Sequence, residues 1–317
     1  MRIALPEGAR PHLEGRLPAD ATPAWYGGGV MGYAAATEAV EGVEIAWIDI
    51  YPAPAVIPVI AAAKDARWIS TSFAGVNGWP LDVIAQRGVT LTNGAGLNAK
   101  PVADFAVMGV LAMAKGLREL VYAQDRREFV MRAPGVAELD GSHALVIGYG
   151  RIGREIGARL EAFGVKVTGV RRQAGGEAGV IGPDDWKARL GEFDWIVLAA
   201  AATDQTRQII GRAELAAMKP SAGLVNIARG DLIDQPALIE AITRGAPASA
   251  FLDVTDPEPA PSDDPIWSTP GIMVTSHTSG RSQTGMMRRA AGLFLENLER
   301  YRAGRPLENR VDLELGY

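Results

Sequence analysis

"HALVIGYGRIGREIGARLEAFGVKVTGV", residues 143–170, is the stretch whose reading decides the fold. The apolar run ALVI leads into Gly148, Gly150 and Gly153, spaced as G-x-G-x-x-G. That spacing alone is a weak signal, so its flanks matter. Beyond it, Ile152, Ile156, Leu160 and Phe163 recur at helical spacing and mark one stripe of a helix. A second β-branched run, VKVTGV (165–170), follows. Strand, tight turn, helix and strand form the context in which this motif binds a dinucleotide. Gly148 permits the turn, Gly150 the approach of a pyrophosphate, and Gly153 close packing of helix on strand. Backbone N–H groups near Arg151 and Ile152 are expected to face the phosphates, helped by the helix dipole.

Working outward, short apolar runs recur as RIAL (2–5), VEIAWIDI (43–50), RWIS (67–70) and VTLTN (89–93). After ALVIG (144–148) and VKVTGV come DWIVLA (194–199), GLVNIA (223–228), SAFLDV (249–254) and IMVTS (272–276). Helix-like segments such as DQPALIEAITRG separate many of them, which implies βαβ units and parallel sheets. The amphipathic segment 99–121 reads as one long helix linking two domains, and punctuation at 134–141 as the entry to a new sheet. The 317 residues suffice for two domains, and 48 % hydrophobic with 22 % charged residues is a soluble globular balance.

Composition closes several routes. A net charge of −5 argues against binding nucleic acid through its phosphates. Cysteine is absent, which excludes disulfides, thiolate metal sites and cysteine nucleophiles. The opening MRIALPEGARPHLEG lacks the apolar core of a signal peptide, and no run is long enough to span a membrane. A cytoplasmic protein without metal, nucleic-acid or membrane partner is the expectation.

Three polar positions follow strand-like runs, where open α/β sheets place ligands. Arg229 ends GLVNIAR, Asp253 and Glu258 lie in SAFLDVTDPEPAP, and His277 lies just beyond IMVTS. Hydride transfer to a 2-oxo acid leaves an alkoxide that needs a proton, and histidine is the side chain suited to give it near neutral pH. A carboxylate bonded to an imidazole favours its charged form. Arginine offers a planar fork matched to a carboxylate or carbonyl oxygen. His12 and His143 lack such surroundings and read as structural or surface residues.

With GYGRIG (148–153), GLVNIARGDLID (223–234), AFLDVTDPEP (250–259) and DPIWSTPGIMVTSHTSG (264–280) in this order, the chain resembles the D-isomer-specific 2-hydroxyacid dehydrogenases, glyoxylate/hydroxypyruvate reductases among them. The resemblance implies an α/β fold in which a Rossmann dinucleotide-binding domain, 98–280, is inserted into a smaller flavodoxin-like substrate domain, 1–97 plus 281–317. It implies Arg229 as substrate anchor, Glu258 as partner of the histidine, His277 as general acid/base, and Asp253 near the nicotinamide carboxamide. It also implies that Ala74 and Gly75, in SFAGVNGW, hold the substrate carboxylate through their backbone, that Asn98 faces the site, and that the chain forms a homodimer through 105–140. Three positions depart from the family pattern: Asn77 stands where aspartate is common, Asp104 where glutamate is, and AAAATDQTR (199–207) lacks a proline.

Arg171 and Arg172 select between cofactors. Arg171 falls 23 residues after Gly148, where NAD-preferring folds place an acid on the ribose hydroxyls. That acid would repel a 2′-phosphate, whereas arginine attracts one, and no acid follows until Glu177. NADP(H) is therefore expected over NAD(H), and a small 2-oxo acid reduced to its D-2-hydroxy acid as the reaction. Phosphite and phosphoglycerate dehydrogenases share the scaffold and remain open, as does a non-catalytic dinucleotide-sensing regulator. Formate dehydrogenases carry glutamine where Glu258 stands.

Overall fold

A computed structural model of the chain describes residues 1–76, 78–280 and 285–314; Asn77 and the 281 boundary lie outside them. Two compact units emerge: Met1–Asn98 with Gln283–Tyr317, and Ala99–Ser282.

In the first unit, β1 (Arg2–Pro6), β2 (Thr22–Tyr26), β3 (Ile45–Trp47), β4 (Trp68–Ser70) and β5 (Thr90–Thr92) form one parallel sheet ordered β2-β1-β3-β4-β5. That is the flavodoxin-like doubly wound order. Successive strand residues serve opposite faces. Ala4, Ala46, Ile69 and Leu91 join one core, while Ile3, Leu5, Ile45, Trp47 and Trp68 join the other. The helix Met286–Arg302 covers the second face through Ala290, Ala291, Phe294 and Leu298. Phe294 stacks on Trp47 and Trp68, with ring centroids 5.2 and 5.0 Å away. Residues 286–302 thus cover one face of the sheet built by residues 2–92.

The second unit holds β6 (His143–Ile147), β7 (Lys166–Val170), β8 (Val180–Ile181), β9 (Trp195–Leu198), β10 (Gly223–Asn226), β11 (Ser249–Leu252) and β12 (Ile272–Val274). They form a parallel sheet ordered β12-β11-β10-β9-β6-β7-β8, a Rossmann order extended by one strand. Leu145, Ile147, Ile196, Leu198 and Leu224 pack on one face, and Ala144, Val146, Val197 and Val225 on the other. Burial on both faces explains why these strands read as continuous apolar runs rather than as alternations.

Two expectations about helices change. The segment 99–121 is not one helix; it divides into Ala99–Lys115 and Leu117–Asp125, because Gly116 takes a left-handed conformation (φ 61°) that ends the first. The fingerprint helix spans Arg151–Glu161, so Phe163 lies beyond it and is exposed, while Gly157 joins Ile156 and Leu160 on the buried stripe.

Candidate active site

The fingerprint has the shape a dinucleotide requires. Gly148 has φ 97°, and a Cβ there would lie 2.4 Å from the Ala200 nitrogen. A Cβ on Gly153 would lie 2.3 Å from the Gly148 oxygen, whereas one on Gly150 would meet open space. Open space over Gly150 leaves room for a pyrophosphate, and Gly150 brings no capping side chain to the helix that begins at Arg151. These residues fit a bound nicotinamide dinucleotide. Arg171 and Arg172 come directly after β7, both exposed.

At the carboxyl end of β11, Asp253 is 1 % exposed and organises the loop that carries the histidine. Its Oδ1 accepts from Thr275 Oγ1 (2.6 Å) and Thr278 N (2.9 Å), and its Oδ2 from Ser279 N (3.0 Å). Its carbonyl accepts from His277 N at 2.7 Å. His277 itself sits at φ 50°, a region that costs a non-glycine residue about 1–3 kcal/mol and persists only where the surroundings enforce it. The buried carboxylate is that enforcement. The imidazole Nδ1 pairs with Glu258 Oε1 at 2.5 Å, so the carboxylate sets the ring's orientation and leaves Nε2 outside that pair.

Arg229 follows β10, the neighbour of β11. Asn226, fully buried, accepts from Ala228 N (3.0 Å) and donates to the Arg229 carbonyl (2.7 Å), which shapes this turn. The guanidinium Nη1 donates to the Ala228 carbonyl at 2.7 Å. Gly230 then passes so close to the Thr255 carbonyl that a Cβ would lie 2.0 Å from it. Gln235 binds the Asp256 N–H at 3.0 Å. The RGDLID segment and the loop bearing Glu258 are in this way locked together. Asn226 and Gln235 carry no chemistry of their own, and only their buried contacts reveal their roles.

In the first unit, Ala74 and Gly75 are exposed after β4, and their N–H groups have no hydrogen-bond partner among the described residues. The Ala74 carbonyl accepts from Asn93 Nδ2 at 2.7 Å. Just before them, the buried Asp49 accepts from Thr71 Oγ1 (2.9 Å), Ser72 N (2.7 Å) and Ser72 Oγ (2.6 Å). Burial pushes the Asp49 carboxyl above its ordinary range, and these hydrogen bonds oppose the shift. No sequence motif singles out Asp49 or Asn93. Asn98 has its Oδ1 buried without a partner among the described residues. His143 is structural: its ring contacts Thr168 Oγ1 at 2.9 Å and packs on Phe193. Burial lowers its pKa. Among the described residues no helix is long and apolar enough to cross a membrane, and no metal-ligating cluster occurs.

Comparison with known proteins agrees with this geometry. A family profile described as "D-isomer specific 2-hydroxyacid dehydrogenase, NAD binding domain" matches residues 107–279. D-3-phosphoglycerate dehydrogenase of Methanocaldococcus jannaschii is 31 % identical over 80 % of this chain and 49 % of its own, so the chain spans about half that relative's length. Glyoxylate/hydroxypyruvate reductase B of Pectobacterium atrosepticum is 30 % identical over 79 % of this chain and 80 % of its own. The crystal structure of a D-isomer specific 2-hydroxyacid dehydrogenase family protein from Aeromonas salmonicida superposes with a TM-score of 0.83 at 25 % identity, covering 98 % of each chain. The chain belongs to the D-isomer specific 2-hydroxyacid dehydrogenase family.

Proposed function

We propose that this protein reduces a small 2-oxo acid, glyoxylate or hydroxypyruvate, to the D-2-hydroxy acid with NADPH. The observation that carries this reading is the 2.5 Å pair of His277 Nδ1 and Glu258 Oε1, on a loop held by a buried aspartate. When bound, the nicotinamide supplies the hydride that reaches the substrate C2. His277 gives the proton from Nε2 to the carbonyl oxygen, so that C=O becomes CH–OH. Glu258 keeps the imidazole oriented for that transfer. Arg229 binds the carboxylate and polarises the carbonyl. In the first unit, the unpartnered N–H groups of Ala74 and Gly75 are donors suited to a carboxylate.

Arg171 and Arg172, at the end of β7, attract the 2′-phosphate of NADP(H) in preference to the free ribose of NAD(H). Asp253 stands beside the nicotinamide while its oxygens hold the histidine loop. Asn98, whose Oδ1 has no partner among the described residues, is a further candidate for substrate contact. Phe129 and Met131 are 88 % and 85 % exposed, in keeping with a homodimer formed through 105–140. A second reading, D-3-phosphoglycerate oxidation, draws on the M. jannaschii relative.

A spectrophotometric panel of glyoxylate, hydroxypyruvate, pyruvate and 3-phosphohydroxypyruvate with NADPH tests the assignment. The highest kcat/KM is expected for glyoxylate or hydroxypyruvate. A highest value for the phosphorylated acid moves the assignment to the second reading, and no turnover with any member of the panel refutes both readings.

A further inference from the structure

Glu177 is the sole carboxylate between Arg171 and Gly179. It forms a forked pair with Arg154 of the fingerprint helix, Nη1 to Oε1 at 2.5 Å and Nη2 to Oε2 at 2.6 Å. The Arg154 guanidinium also lies over the Tyr149 ring, 5.3 Å from its centroid. Tyr149 is wedged between helix and strand: a Cβ on Gly157 would lie 2.5 Å from its hydroxyl, and one on Gly169 2.4 Å from its Cγ. Tyr149 and Arg154 of GYGRIGR therefore build a chain of contacts from β7 to the loop that bears Arg171 and Arg172.

We propose that Arg154 and Glu177 form a specificity-determining pair that keeps the loop's one carboxylate away from the arginines that select the cofactor. This rests on the NADP(H) reading above. Among the described residues, neither Arg171 nor Arg172 takes part in an ion pair, whereas Glu177 is paired on both oxygens. Arg154 holds the Glu177 carboxyl below the usual carboxylate range, and the more distant Arg171 adds to that effect. A Glu177 released from Arg154 has Arg171 as its next cation and competes with a 2′-phosphate for it. Such an exposed pair contributes little to folding, so its consequence is read in selectivity.

Calorimetric titration of the full-length protein with adenosine 2′,5′-bisphosphate and with AMP tests this without turnover. Arg154→Ala should weaken the bisphosphate by about 3- to 10-fold and AMP by less than about 2-fold. Glu177→Gln should tighten the bisphosphate, and the double variant should return close to wild type. In the reductase assay the same Arg154→Ala change should raise KM for NADPH more than for NADH. Equal weakening of both nucleotides by Arg154→Ala, or a double variant no better than Arg154→Ala, overturns the pair's role. Arg171→Ala separates the two levels. If it leaves the bisphosphate-to-AMP ratio unchanged, the NADP(H) reading fails and the pair's role falls with it. If it collapses the ratio while Arg154→Ala does not, only the pair's role fails.

Discussion

Two loops at the carboxyl edge of one sheet are built in opposite ways. The loop after β12 folds around the buried Asp253, with both carboxylate oxygens engaged and His277 held at positive φ. The loop after β7 lies on the surface, tied back to the fingerprint helix by the exposed Arg154–Glu177 pair. The proton transfer proposed for His277 requires heavy atoms placed within hydrogen-bond reach, which suits a loop over-determined by buried contacts. Charge recognition of a phosphate acts over several ångströms and tolerates a looser frame. Under the proposed function, chemistry and cofactor choice thus rest on different kinds of interaction, and variants in the two loops should fail differently.

The largest effect is expected at the histidine. His277→Ala should lower kcat by at least about 10²- to 10⁴-fold, the range lost with a positioned acid or base. NADPH binding, measured by fluorescence titration, should stay within about 2-fold, since the proposed cofactor contacts include the glycine turn and Arg171 and Arg172, on other strand ends. Asp253→Ala comes next, and it should break folding and catalysis together. It leaves the N–H groups of Thr278 and Ser279 without the oxygens they bind, each unmet donor costing about 1–3 kcal/mol. Thermal unfolding should fall by several degrees, and kcat should fall with both cofactors alike. Unchanged melting would show that the histidine loop holds its shape without the aspartate.

Most of the second unit is legible in its residues, because a parallel sheet buried on both faces writes each strand as an apolar run. The two missed strands lie at sheet edges. TPAWY in β2 carries Pro23, which an edge strand tolerates, and β8 is only Val180–Ile181 after Gly179. Gly116 reads as part of one long helix because amphipathic spacing continues on both sides of it; only its left-handed φ shows the break. The residues of the His277–Glu258 pair stand out by motif. The residues that place them do not: Asn226 and Gln235 look like ordinary polar residues, and Asp253 reads only as a cofactor contact, whereas its oxygens also bind Thr275, Thr278 and Ser279. Arg154 is likewise hidden, since its partner lies 23 positions away.

The separation of chemistry from cofactor choice is tested most directly by the ratio of kcat/KM for NADPH to that for NADH, measured with glyoxylate in the wild type and in Arg171→Ala/Arg172→Ala. The wild type should favour NADPH by at least about 10-fold, and the variant should lose most of that preference through a higher KM for NADPH. A wild-type preference for NADH, or a variant that keeps the wild-type ratio, would contradict the account.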